Sequence, residues 1–181
     1  LIEQAESCLS EPLPALTGVA ILHAYTNGHR NMAKDLIAQC TSEQIAGAPP
    51  NLLRLVAERL DFQTAMELVD KGVQPGDYAA DVLHTLTGQH QEWMAEKLLE
   101  HGMPVAADNY AALYVCVNNQ AAGVAKLLLD RGMDLEQYQT WAEKQRKNEG
   151  YEETMAELTE YWSELQSGPE QDSPSMDGMS L

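Results

Sequence analysis

The chain has 181 residues, enough for one ordinary domain or one array of repeats, and sets 28 acidic side chains against 11 basic ones, a net charge of −17. A surface that negative repels phosphate backbones and anionic headgroups, which argues against nucleic-acid and membrane binding and favours a partner protein with a basic or mixed surface. No apolar run approaches membrane-spanning length, and Cys8, Cys40 and Cys116 are odd in number and far apart, as expected of reduced thiols in a cytoplasmic setting.

Residues 1–17 begin with LIEQAESCL, a short helical pattern, and continue with the proline-interrupted EPLPAL. They are expected to form an N-terminal cap or a linker. The first residue is Leu and no leader peptide is recognised, so the chain is expected to be a piece of a longer protein. The next stretch, AILHAYTNGHRNMAKDLIAQC at 20–40, reads as two helices. Leu22-His23 lies on the first, Gly28-His29 at the turn and Leu36-Ile37 on the second.

One phrase then recurs three times: AMELVDKGVQP at 65–75, AEKLLEHGMPV at 95–105 and AKLLLDRGMDL at 125–135. Its glycines, Gly72, Gly102 and Gly132, are 30 residues apart. Ala65, Leu68 and Val69 match Ala95, Leu98 and Leu99, then Ala125, Leu128 and Leu129. Spacings of three and four put each set on one helix face. The glycine takes the left-handed position that ends a helix. Lys71, His101 and Arg131 precede it, where positive charge suits the helix C-terminus.

A second series, Leu53, Leu83 and Leu113, marks an upstream helix in each unit, with a break at Gly88-Gln89-His90. Loops with Pro, Gly or Asp join the units: QPGD at 74–77 and PVAADN at 104–109. A lone helix pair cannot bury its own apolar face, whereas stacked pairs can. The expected fold is therefore an all-α solenoid of stacked helix-turn-helix repeats over 18–166. Its units fall at about 20–47, 51–80, 81–110 and 111–140, with a cap at 141–166. Residues 167–181, SGPEQDSPSMDGMSL, lack periodicity and are expected to form a disordered acidic tail. The stretch 149–181 holds nine acids and no Lys or Arg.

Within these units Leu83-His84 resembles the Leu-His pair of the ankyrin signature T-P-L-H-x-A, and Leu22-His23 and Leu113-Tyr114 occupy the same slots. The chain resembles an ankyrin-repeat domain with degenerate repeats. No unit carries the whole signature, and 30 residues is shorter than the usual 33. The resemblance implies that His23 and His84 make backbone hydrogen bonds between units. It also implies that loop tips and the exposed faces of the first helices line a binding surface. Asp77, Tyr78 and Ala80 then fall on one tip, Asp108 and Tyr110 on the next, and Gln137, Tyr138 and Thr140 on the third. The first helices contribute Glu58 and Arg59, Gln89, Asn118 and Asn119. Tyrosines among acids suit protein recognition, aromatic anchors supplying energy and acids steering, while packing of the same tyrosines between neighbouring tips is the alternative. Trp93 is expected to be partly exposed, and Trp141 and Trp162 to pack in the cap.

No nucleophile elbow, phosphate-binding loop or dinucleotide fingerprint occurs, and no His pairs with Cys, Asp or Glu at a zinc spacing. Cys40 and Cys116 read as buried small hydrophobes, and Glu152-Glu153 as a solvated face. No catalytic residue, cofactor or metal is expected. The function expected is a non-catalytic protein-binding module. A first alternative is the targeting domain of a larger bacterial effector acting in the host cytosol. The layout resembles that of the secreted arginine ADP-riboxanases, whose C-terminal ankyrin domain docks a host protein. A second is an acidic inhibitor mimicking nucleic acid.

Overall fold

The computed structural model describes residues 14–167. Eleven α-helices and no strand occur among them. Three pairs repeat in register: α4 (Asn51–Glu58) with α5 (Phe62–Asp70), α6 (Ala79–Gly88) with α7 (Glu92–Glu100), and α8 (Tyr110–Asn118) with α9 (Ala122–Asp130). Before them stand α1 (Pro14–Thr26), α2 (Arg30–Gln39) and the short α3 (Ser42–Ala46). After them come α10 (Leu135–Ala142) and α11 (Tyr151–Ser167).

The helices form two rows. First helices pack in the sequence α1, α4, α6, α8, α10, and second helices in the sequence α2, α5, α7, α9, α11. The core runs between the rows, where Leu53, Leu83 and Leu113 face Leu68, Leu98 and Leu128, all at 0 % exposure. The two leucine series are therefore the two halves of one continuous core. Such a stack makes each pair dependent on its neighbours.

Two kinds of chain reversal alternate. At the end of each second helix Gly72, Gly102 and Gly132 have φ of +81°, +105° and +93°. The following amides donate back to the helix: Val73 to the Leu68 carbonyl at 3.0 Å, Met103 to Leu98 at 2.8 Å and Met133 to Leu128 at 3.2 Å. Gly102→Val is expected to destabilise the fold by about 1–2 kcal/mol or more, because a β-branched residue is strained at positive φ; chemical denaturation measures it. The residue before each glycine does more than complement the helix end, because it reaches the preceding unit. Lys71 Nζ donates to the Cys40 carbonyl at 2.7 Å, Arg131 Nη1 donates to the Met103 carbonyl at 2.9 Å, and His101 pairs with Asp70.

Between the two helices of a pair the left-handed residue is not glycine. Leu60, His90 and Gln120, again 30 apart, have φ of +51°, +55° and +59°. In each turn the amide after the left-handed residue donates back to the helix, Asp61 to the Val56 carbonyl, Gln91 to Leu86 and Ala121 to Cys116. The break expected at Gly88-Gln89-His90 is present: Gly88 is the last residue of α6, and Gln89 and His90 form the turn.

The N-terminal unit departs from this plan. Helix α3 fills the connection to α4 and begins with a capping box, in which the Gln44 amide donates to Thr41 Oγ1 and the Thr41 amide to Gln44 Oε1. It packs on α1. There Gly18 permits a close approach, since a Cβ at that position would lie 2.4 Å from the Ala48 Cα.

Asp61, the N-cap of α5, ties this unit to the next. It accepts from Tyr25 Oη at 3.0 Å and the Thr64 amide at 3.4 Å, and pairs with Lys34 Nζ at 3.0 Å. Burial alone would raise its carboxyl pKa, but these donors outweigh it and hold the group below the ordinary aspartate range. A lowered folded-state pKa adds stability that is present above the unfolded pKa, about 3.9, and is lost as pH falls through the folded value. The melting-temperature gap between wild type and Asp61→Asn is therefore expected to shrink as pH drops from 7 towards 3.

At the other end α10 spans the boundary expected at 140/141. It continues the row of first helices on α8, and α11 continues the second row on α9. Gln137, Tyr138 and Thr140 therefore lie on a helix and not on a loop tip. The expectations for residues 1–13 and 168–181, including Cys8, fall outside the described residues.

Candidate interaction surface

The expected binding residues divide into an exposed set and an internal set. Tyr78 closes a 3₁₀ turn, Gly76–Tyr78, just before α6 and remains 37 % exposed. Its ring lies 5.7 Å from the Arg54 guanidinium carbon, and Arg54 bonds Glu58 one turn further along α4. Glu58 in turn borders a recess of about 350 Å³ with His84, Thr85, Gly88 and Gln89 of α6 and its turn. Tyr78, Arg54, Glu58, His84 and Gln89 thus run as one strip along the row of first helices, from the loop end to the turn end. Arg59 is exposed beside it in the α4–α5 turn.

A second concavity lies at the loop end. Loop 74–77 and loop 104–109, one unit apart, enclose a groove of about 660 Å³ lined by Gln74, Gly76, Asp77, Pro104, Val105, Ala106, Asp108 and Asn109. Asp77 and Asp108 are both exposed.

The remaining expected residues hold the protein together. Tyr138 is 0 % exposed and its hydroxyl meets that of Tyr151 at 3.1 Å. Its place is the interior between α10 and α11, because it projects from a helix that packs on α8 and not from a tip. Asn118 is 8 % exposed. Its amide donates to the Arg146 carbonyl at 3.3 Å, and its Oδ1 accepts from the Asn148 amide at 3.0 Å. Tyr114 Oη donates to the same Arg146 carbonyl, and Gln120 Nε2 donates to the Glu149 carbonyl at 3.1 Å. These side chains fasten the α10–α11 connection, and Asn118 belongs to that fastening. Asn119 bonds Thr87 Oγ1 at 2.8 Å and approaches His84 Nδ1 at 3.4 Å. Tyr110 is half-buried, bonds Gln137 Oε1 at 2.9 Å and leans on Trp141.

The histidines do not take the expected backbone role. His84 faces Asn119, His23 faces Asn27 at 2.6 Å within α1 and its turn, and both are exposed. Arg54, His84 and Thr85 were not among the expected surface residues. The one sequence signal for Arg54 was its spacing of four to Glu58, which puts opposite charges on one helix face. Trp93 is 51 % exposed and meets Phe62 edge-on with centroids 4.8 Å apart. Trp141 and Trp162 are half-buried.

Cys116 is buried and desolvation drives its thiol far above the ordinary range, while burial also raises Cys40 despite the nearby Lys71. Neither has the thiolate character of a nucleophile. Among the described residues no three His, Cys, Asp or Glu side chains gather as metal ligands, and no helix is long and apolar enough to cross a membrane. Comparison of the chain with protein families, curated proteins and solved structures returns no match. The functional reading therefore rests on the residues themselves.

Proposed function

We propose that the chain is a non-catalytic protein-binding module, an ankyrin-like solenoid that holds a partner of basic or mixed surface against its first helices and their loop ends. The observation that carries this reading is the surface strip Tyr78, Arg54, Glu58, His84, Gln89, in which Arg54 is half-buried and the others are exposed. It joins an aromatic anchor, both charge signs and a recess on one face of a packed scaffold. Such faces bind through a few aromatic and charged anchors, with acids accelerating encounter with basic partners. The 30-residue recurrence of both chain reversals and the two-row packing support the solenoid reading.

The test is affinity capture with wild type beside a Tyr78→Ala, Glu58→Ala, Gln89→Ala variant of unchanged melting temperature. A partner held by wild type, weakened by salt and lost by the variant is expected. A partner held equally by both would move the site elsewhere on the molecule, and an empty capture would count against the binding reading itself.

A further inference from the structure

We infer that the groove between loops 74–77 and 104–109 is a docking slot for an arginine side chain on an extended, basic segment of the partner. This inference rests on the binding reading above and names the chemistry of one part of it. The shape comes first. Two successive inter-unit loops stand side by side because their helix pairs are stacked, so the groove is a product of the repeat. Its volume of about 660 Å³ accommodates a long side chain together with the backbone on either side of it.

The lining then selects the occupant. Pro104, Val105 and Ala106 offer an apolar wall against which the methylene stem of a long cationic side chain packs. Asp77 and Asp108 contribute a carboxylate from each of the two loops, and Gln74 and Asn109 add carboxamide oxygens as further acceptors. No Lys or Arg lines the groove. Among the described residues, neither carboxylate has a cation within 4.0 Å or a side-chain hydrogen bond, unlike Glu58, Asp61, Asp70 and Asp130. The planar guanidinium, with its five donors, satisfies acceptors distributed over two walls better than an ammonium does. Tyr78 and Tyr110 follow the two loops directly in the chain, at the starts of α6 and α8. A neutral or acidic segment would leave both groove-lining carboxylates without a cationic partner.

The probe is N-acetyl-arginine amide, titrated into the isotope-labelled full chain and followed by backbone amide shifts. Saturable shifts confined to the amides of Gln74, Gly76, Asp77, Val105, Ala106, Asp108 and Asn109 are expected. The citrulline analogue, of the same shape without the charge, is expected to bind less than wild type binds arginine. So is the Asp77→Asn, Asp108→Asn variant with the arginine probe, each by about fivefold or more. Non-saturating shifts spread over the acidic surface, including α11, would overturn the proposal, and so would equal response to citrulline. A variant that keeps wild-type affinity with intact spectra overturns it too. Capture of a partner through Tyr78 and Glu58 with no arginine response in the groove would remove the slot and leave the binding module standing.

Discussion

Leu98→Ala is expected to destabilise the protein by about 2–5 kcal/mol, and Leu128→Ala by a similar amount. Both side chains are wholly buried between the two helix rows. Leu98 projects from α7, which packs on α6 within its own unit and on α5 and α9 of the neighbouring ones. Cutting its isobutyl group back to a methyl leaves a void on a helix that touches three units. The rows are held in place by their loops and caps, so the void cannot collapse at little cost. The cost is the sum of the lost transfer free energy and the term for the residual cavity. Urea denaturation checks it through the midpoint at constant slope. Midpoints unchanged in both variants would contradict the core described here. The position within the stack adds a second expectation. In an array where each unit contacts only its neighbours, a cavity at the centre uncouples the two halves more than the same cavity at an end. Leu98 lies nearer the middle than Leu128, so a broadened or two-step transition is expected first in Leu98→Ala.

What the sequence disclosed follows from how many residue types each position tolerates. The C-terminal reversals were legible because a left-handed residue after a helix strongly favours glycine, and Gly72, Gly102 and Gly132 stand there at equal spacing. The reversals inside each pair use the same left-handed geometry, yet Leu60, His90 and Gln120 share no chemistry. Tertiary packing imposes their conformation, so no residue type reports it; the expected break at Gly88-Gln89-His90 holds the turn, but nothing in its sequence marks His90 as the left-handed residue. The cations before the glycines were read as helix-end partners, and their reach to the preceding unit emerged only once the units were stacked. The cap is different, because its signal was present and was outweighed. Asp134 followed three residues later by Gln137 has the form of a helix start, and in the structure Asp134 Oδ1 accepts from the Gln137 amide at 2.9 Å. The 30-residue period, continued by repetition, carries the expected boundary past that signal to 140. Three tip assignments, Gln137, Tyr138 and Thr140, moved with it. At the surface, the repeat register sufficed to expect Tyr78 and Glu58 on the outside, where both are exposed. Asn118 could not be recognised as internal, since its partners Arg146 and Asn148 lie in a non-repeating connection.

Tyr138 is where this difference has the largest consequence. Were it a tip residue, Tyr138→Ala would weaken partner binding and leave the fold intact. In the interior it behaves as a core aromatic. Tyr138→Ala is expected to cost about 3–5 kcal/mol, as other buried aromatic truncations do. The ring is wholly buried, stacks near Trp141 with centroids 6.3 Å apart and carries its hydroxyl to Tyr151 of α11. Burial and the bond to Tyr151 both push its phenol far above the ordinary range, so the hydroxyl stays protonated and serves only as a hydrogen-bond group. Tyr138→Phe separates the two contributions. It keeps the ring and removes one hydroxyl, leaving that of buried Tyr151 without this partner, for an expected loss of about 1–3 kcal/mol. Thermal unfolding of the two variants ranks them against wild type. A Tyr138→Ala protein that melts like wild type would mean that α10 and α11 are not packed on α8 and α9 as the structure has them. The expected order, with the alanine variant lowest and the phenylalanine variant between, makes the cap part of the same cooperative stack. Any binding experiment that mutates Tyr138 would then report loss of the fold and not loss of a contact, which is why the variants used to test the interaction surface spare it.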